Sequence, residues 1–280
     1  MREVLHIQKE HEVLSLITGV AFSNVPCWYG ATRRDLKMDL IVPKVREGHK
    51  SCPCIVWICG GAFMVVDRSV WMPEMLHFAR NGYVVASIEY RTSNEAPFPA
   101  QLMDCKSAIR YLRAHAKEYC TDPGKVFVMG ESAGGTMACL LGTTAGCPEF
   151  EQGDWLDYSS AVQGVVDFYG VTKIEPLPHI TGTAVPYYAF DAFIAEDFTA
   201  EMGKKASALE YVSPHTPPVL ILHGTEDPLV SMDQSERFYE RLQENGVRTD
   251  LLIVEGASHG DDLFYQRVMD DRILDFLKSI

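Results

Sequence analysis

Ser132 sits in Gly130-Glu131-Ser132-Ala133-Gly134, behind the β-branched and apolar run Val126-Phe127-Val128-Met129 and ahead of Met137-Ala138-Cys139-Leu140-Leu141, which suits a helix. Strand, tight turn and helix in that order are the setting of a G-x-S-x-G nucleophile elbow. In so sharp a turn, side chains two residues either side of the serine would collide with their neighbours. Glycine at Gly130 and Gly134 removes the Cβ and admits unusual φ/ψ. Ser132 would then stand clear of the sheet edge, at the positive end of the following helix. The chemistry on offer is nucleophilic attack by a hydroxyl. The plain alternative is a glycine-rich turn with an idle serine, so the partners decide.

A serine hydroxyl alone is a poor nucleophile. It needs a histidine base, and the histidine needs a carboxylate to fix its tautomer and stabilise the imidazolium. Downstream of Ser132 the histidines are His179, His215, His223 and His259. His259 lies in Glu255-Gly256-Ala257-Ser258-His259-Gly260, just past the last apolar strand, where glycines let a loop bend toward the serine. His223 competes from the strand end Leu222-His223-Gly224, where a structural role suits it better. Asp227, in Gly224-Thr225-Glu226-Asp227-Pro228-Leu229-Val230, is placed one strand away from the histidine loop. Its rivals are Glu226 and, more remotely, Asp261 and Asp262; its structural alternative is an Asx-turn before Pro228. The order serine, acid, histidine fits a fold of alternating strands and helices.

The tetrahedral oxyanion formed by such an attack needs preplaced N–H donors. One is the N–H of Ala133, directly after the serine. Gly61 and Ala62, in Cys59-Gly60-Gly61-Ala62-Phe63 behind an apolar strand, offer the others. Small residues there let the backbone approach a substrate closely. By itself a double glycine after a strand is more often a plain turn.

The elements that must position these groups are legible as apolar periods. Pro53 to Cys59 is a continuous apolar run, as a buried parallel strand requires, and Tyr83 to Tyr90, Val126 to Met129, Val162 to Phe168, Val219 to Leu222 and Leu251 to Val254 read as further strands. Leu36 to Val42 alternates, which predicts an outer strand with one wet face. Helices are expected over Val70–Arg80, Ala100–Tyr119, Ser231–Asn245 and Leu263–Leu277, the second from Leu102, Cys105, Ile109, Leu112 and Ala116 at three- and four-residue steps. Asp122-Pro123-Gly124 reads as a turn, and residues 1–34 read as mixed, with Pro26-Cys27-Trp28-Tyr29-Gly30 an aromatic loop. Residues 171–210 show no period and many prolines and aromatics, and are expected to be a small lid insertion. Strands alternating with helices give an α/β fold with a mostly parallel central sheet, in which chemistry sits at the carboxyl ends of the strands. With no linker or repeat, residues 1–280 are expected to form a single domain.

Composition excludes several classes. The chain has 280 residues and a net charge of −13, which argues against nucleic acid and anionic membranes as partners. No run of eighteen or more apolar residues is present, and the N-terminus lacks a signal peptide's uninterrupted apolar stretch. A cytoplasmic protein is the expectation. The eight cysteines form no C-x-x-C, no Cys/His cluster has zinc spacing and no H-E-x-x-H occurs, so neither metal nor cofactor is called for. Reduced, buried thiols are expected. An oligomer is left open.

Taken together, these segments resemble the α/β-hydrolase superfamily, within it the esterase and lipase group related to hormone-sensitive lipase, and most of all the bacterial acetyl-xylan/feruloyl esterase-like hydrolases. The resemblance rests on Cys59 to Phe63, the Ser132 turn, His223 to Val230 and Gly256 to Gly260. It extends to Tyr90-Arg91-Thr92-Ser93 with Ala96 to Gln101 and Asp104-Cys105, and covers about residues 35–280. It implies an α/β-hydrolase fold and a serine carboxylesterase with Ser132, Asp227 and His259 as its triad. Gly61, Ala62 and Ala133 would be its oxyanion hole. One position departs from the family: His-Gly-Gly-Gly or His-Gly-Gly-Ala is usual, and Cys59 replaces the histidine that braces the loop.

The substrate expected is a small-molecule or oligosaccharide ester with a short acyl group, acetyl or feruloyl on carbohydrate, because residues 171–210 hold no long apolar tract. Phe63, Tyr187 and Tyr188 are the candidates for binding it. Phe190, Phe193, Phe198, Trp155 and Tyr158 could line the same pocket or simply pack the insertion. The rivals are a general carboxylesterase, an arylformamidase-like amidase, a peptidase and, outside enzymes, a ligand-binding module on the same fold. Such modules typically lose the serine or the histidine.

Overall fold

Alternation of strand and helix periods folds the chain into one layered sheet. The structure is a computed structural model describing residues 1–45, 47–175, 193 and 199–280. It opens with a hairpin, Leu14–Cys27 (β1) and Thr32–Pro43 (β2), followed by Cys52–Ile58 (β3), Met72–Arg80 (α1) and Val84–Ile88 (β4). Ala100–Ala114 (α2), Ala116–Tyr119 (α3), Thr121–Glu131 (β5), Ala133–Thr143 (α4) and Gly164–Phe168 (β6) come next. Ala200–Lys205 (α5), Val219–Gly224 (β7), Asp233–Glu244 (α6), Thr249–Val254 (β8) and Arg267–Lys278 (α7) complete it. The sheet has eight strands in the order β1-β2-β4-β3-β5-β6-β7-β8. β1 pairs antiparallel with β2, and β2 with β4; every later pairing is parallel.

The period of two along β3 divides the core. Cys54, Val56 and Ile58 face Leu102, Cys105, Ile109 and Leu112 of α2 and Met137, Leu140 and Leu141 of α4. Ile55 and Trp57 face the other way, toward Met75 and Phe78 of α1 and Ile273, Leu274, Phe276 and Leu277 of α7. Burying each such side chain contributes about 1.5–3 kcal/mol, and the central strands bury one on both faces. Register then sets the site. Ile58 is opposite Gly130 and Glu131 is opposite Phe168, so the ends of β3, β5 and β6 form one edge.

Five expectations are corrected. Residues 14–27 form a strand, although its wet positions and two register shifts blur the period. β2 is buried on both faces from Leu40 to Pro43, because β1 and not β2 ends the sheet. The Asp122-Pro123-Gly124 segment lies inside β5, where the Gly124 N–H bonds back to the Asp122 carboxylate at 2.8 Å. The expected long helix ends at Ala114 and restarts at Ala116, and the closing helix begins only at Arg267, behind a 3-10 turn at Asp262–Tyr265. In the 171–210 segment, the described flanks contribute Ile174, Ala206 and Ala208 to the core. All eight cysteines are free, and Cys147 alone is partly exposed. Among the described residues no helix is long and apolar enough to cross a membrane, and no group of three metal-ligating side chains occurs.

Candidate active site

The turn after β5 has the crowded geometry its glycines imply. Ser132 takes φ 54° and ψ −120°. That region costs a non-glycine residue about 1–3 kcal/mol and persists only where the surroundings enforce it. A Cβ on Gly134 would lie 1.9 Å from the Ile58 carbonyl oxygen, and one on Gly130 would lie 2.4 Å from that of Gly134. The Ser132 N–H is anchored to the Phe168 carbonyl at 2.9 Å. The serine is thereby fixed at the N-terminus of α4, with the Ala133 N–H opening that helix.

The two loops after β7 and β8 are stitched together by Glu226 N–H to Ala257 O at 3.0 Å and Thr225 N–H to Val254 O at 3.1 Å. From them Asp227 and His259 meet Ser132. His259 Nε2 is 2.9 Å from Ser132 Oγ, and His259 Nδ1 is 2.7 Å from Asp227 Oδ2. A carboxylate can only accept, so Nδ1 carries the proton and Nε2 is left to accept from the serine hydroxyl. The other Asp227 oxygen takes the N–H groups of Leu229 and Val230 at 2.8 and 2.9 Å. Burial raises the Asp227 carboxyl, but the His259 hydrogen bond and these two N–H groups outweigh it and hold the group below the usual carboxylate range. This arrangement can draw a proton from the serine and support the resulting imidazolium.

The rival residues have other work. His223 is fully buried, accepts from Ser235 Oγ at 2.7 Å and donates to the Val230 carbonyl at 2.9 Å. Burial lowers its pKa and keeps it neutral. It therefore props the turn that carries Asp227. Asp261 caps the 3-10 turn through Leu263 N–H at 3.0 Å. Glu226 and Asp262 are exposed.

After β3 the chain makes a loop with positive φ at Gly61 (119°), Ala62 (51°) and Phe63 (61°). The N–H groups of Met64 and Val65 close it on the Gly61 carbonyl at 2.9 and 3.1 Å. Among the described residues, the Gly61, Ala62 and Ala133 N–H groups are bonded to no other group. Cys59 braces this loop in the histidine's stead. Its thiol donates to the Asp67 carbonyl at 3.1 Å, its carbonyl accepts from the Tyr90 hydroxyl at 2.8 Å, and burial pushes the thiol up to about 12. Arg68, at the far end of the loop, pairs with Asp39 at 2.9 Å and with Glu89.

Phe63 buries its ring, 2% exposed, in a stack with Phe193 at 3.9 Å between centroids. Tyr187 and Tyr188 lie outside the described residues, as do His179, Phe190 and Phe198. Trp155 packs on Tyr111 and donates to the Phe22 carbonyl at 2.8 Å, well back along β1. Sequence reasoning missed a different set of aromatics. Tyr169, itself at φ 44°, packs its ring 4.6 Å from that of His259. Its hydroxyl meets that of Tyr265 at 3.1 Å, and Tyr265 stacks on Trp71 at 4.2 Å. The signal available was the position of Phe168-Tyr169-Gly170 at a strand's carboxyl end.

The BD-FAE family matches residues 38–242, most of the chain. The chain belongs to the BD-FAE family, within the α/β-hydrolase superfamily. Esterase LipQ of Mycobacterium tuberculosis is 28% identical over 267 residues, 92% of this BD-FAE chain and 62% of LipQ. The probable isoprenylcysteine alpha-carbonyl methylesterase ICMEL1 of Arabidopsis thaliana is 27% identical over 262 residues, 90% of this chain and 54% of that protein. The chain thus spans less than two-thirds of either relative. A truncated form of a carbohydrate esterase from gut microbiota has a TM-score of 0.80 at 24% identity, covering 97% of this chain and 98% of that one. It shares the fold.

Proposed function

We propose that this BD-FAE chain is a serine ester hydrolase acting through Ser132, His259 and Asp227. The observation that carries the reading is the unbroken hydrogen-bond chain from Ser132 Oγ through His259 to Asp227, at 2.9 and 2.7 Å. Ser132 Oγ bonds to the acyl carbon as its proton passes to His259 Nε2. The oxyanion formed is held by the N–H groups of Ala133, Gly61 and Ala62. His259 then returns the proton to the alcohol oxygen as the acyl C–O bond breaks, leaving an acyl-serine. Water loses a proton to the same nitrogen, attacks the acyl carbon, and Ser132 departs with that proton. Asp227 stays ionised throughout and keeps the ring in its tautomer.

The substrate class proposed is a short acyl ester, acetyl or feruloyl on carbohydrate, supported by the carbohydrate-esterase neighbour and by the family. A general carboxylesterase is the second reading, favoured by relatives named as an esterase and a methylesterase. Rates across p-nitrophenyl esters, acetylated xylo-oligosaccharides and methyl ferulate separate the two, and a chain-length optimum at C12 or longer removes the first. For the nucleophile, Ser132→Ala should cut p-nitrophenyl acetate hydrolysis by about 10⁴-fold or more. Unchanged turnover in that variant would falsify the assignment. A fluorophosphonate probe should label the wild-type chain and not the variant; an unlabelled wild type favours a binding module.

A further inference from the structure

Glu131 occupies the variable position before the serine, yet the structure gives it definite partners. Its Oε1 accepts from the Gly60 N–H and from the Trp71 indole N–H, the latter at 3.3 Å. It fills the space a Gly60 side chain would need: a Cβ there would meet both carboxylate oxygens at 2.6 Å. Gly60 directly precedes the proposed oxyanion donors. Trp71 stacks on Tyr265, which joins Tyr169 beside His259. One partly buried carboxylate therefore touches the oxyanion loop and one wall of the site from beneath the nucleophile turn.

The groups facing Glu131 narrow what its charge can do. They are Cys59 of the loop, Tyr90 past β4, Tyr169 past β6, and His259 and Tyr265 past β8. Burial drives the thiol and all three phenols upward, so they stay neutral. His259 is the one neighbour of this set that changes charge during the proposed reaction. Burial raises Glu131 itself, opposed by the Gly60 N–H, the Trp71 indole and the charge on His259.

We propose that Glu131 is a positioning residue for the proposed hydrolysis. Its carboxylate ties the oxyanion loop to the nucleophile turn through Gly60, and its negative charge supports the imidazolium of His259. This rests on the ester-hydrolase reading above.

Two near-isosteric variants divide the roles. Glu131→Gln keeps an acceptor for Gly60 and Trp71 but removes the charge. It should move the acid limb of the kcat/KM profile to lower pH by about half a unit or more and lower kcat at the optimum by about threefold. Glu131→Asp keeps the charge but withdraws the oxygen from Gly60. It should lower kcat by about tenfold, leave KM within about twofold and leave the acid limb in place. If Glu131→Gln does not fold, Glu131→Ala deletes the same charge without burying an amide and should move the limb the same way. A limb that stays put in Glu131→Gln or its substitute overturns the proposal, as does wild-type kcat in Glu131→Asp. A wild-type chain without Ser132-dependent hydrolysis overturns the ester-hydrolase reading and this proposal together. An active chain with an unmoved limb overturns this proposal alone.

Discussion

The turn at Gly130–Gly134 and the loop at Gly60–Arg68 meet at the same sheet edge, and different forces hold them. The turn is wedged. Its glycines abut the backbone of β3 itself, with the prospective Cβ of Gly134 at 1.9 Å from Ile58 O. The loop is tethered. Its tightest approach is internal, with the prospective Cβ of Gly61 at 2.2 Å from the Val65 carbonyl oxygen, and its outer attachments are polar: a thiol to Asp67, Gly60 to Glu131, Arg68 to Asp39 and Glu89. A wedged turn cannot shift without moving the sheet. A tethered loop can relax against solvent when one attachment is lost. The proposed nucleophile is thus held by exclusion, and the proposed oxyanion donors by a few hydrogen bonds.

Breaking each region tests this contrast. Gly134→Ala should be the most damaging change, costing stability or leaving a folded chain with activity down about 10³-fold or more, because its Cβ meets the sheet. Gly61→Ala should keep the fold, with Tm within a few degrees, and lower kcat by about 10–100-fold. Thermal melts beside p-nitrophenyl acetate kinetics decide it; equal Tm losses in both variants would erase the distinction.

Asp167 sharpens the picture of the wedged region. Its Oδ1 lies 2.4 Å from the Cβ position of Gly135 and takes the Gly170 N–H at 2.9 Å, while its buried Oδ2 has no partner among the described residues. Burial raises this carboxyl from 3.8 to about 7. Between those values the folded state holds a proton that the unfolded state has released, so stability falls as pH rises. The cost is absent below about pH 4 and complete above about pH 7, on the order of 4 kcal/mol at most. Asp167→Asn should therefore gain Tm over wild type progressively from pH 4 to 7, then hold that gain. A pH-independent difference would locate the effect in packing.

The smallest effect belongs to the tether. Cys59→Ala removes the thiol's hydrogen bond to the Asp67 carbonyl, about 0.5–1.5 kcal/mol, and its longer contact with the Ser87 hydroxyl at 3.9 Å, and should lower kcat about three- to tenfold with Tm nearly unchanged. A loss beyond 100-fold would make the thiol more than a brace.

Much of this was legible in the sequence, for local reasons. Gly130 and Gly134 bracket a conformation that only they permit, so the turn announces itself in five residues. His259 could be chosen over His223 by its place in a loop past the last apolar strand, whereas no spacing separates Asp227 from its neighbour Glu226. β1 was hidden because an outer strand with two register shifts carries little periodicity. The helix split at His115 was invisible because Ala116 continued the apolar spacing. Glu131 escaped notice because the motif treats its position as free. Trp71, Tyr169 and Tyr265 converge from three separate loops, and no spacing along the chain encodes that.

The buried thiols have a practical side. Seven of the eight free cysteines are shut inside the protein, and Cys147, past the end of the helix that Ser132 begins, is the one with surface to offer. A maleimide dye added to the native chain should find a single ready address there, behind the helix that follows Ser132. The protein thus comes with its own attachment point for a fluorescent reporter, with no engineering of the sequence required.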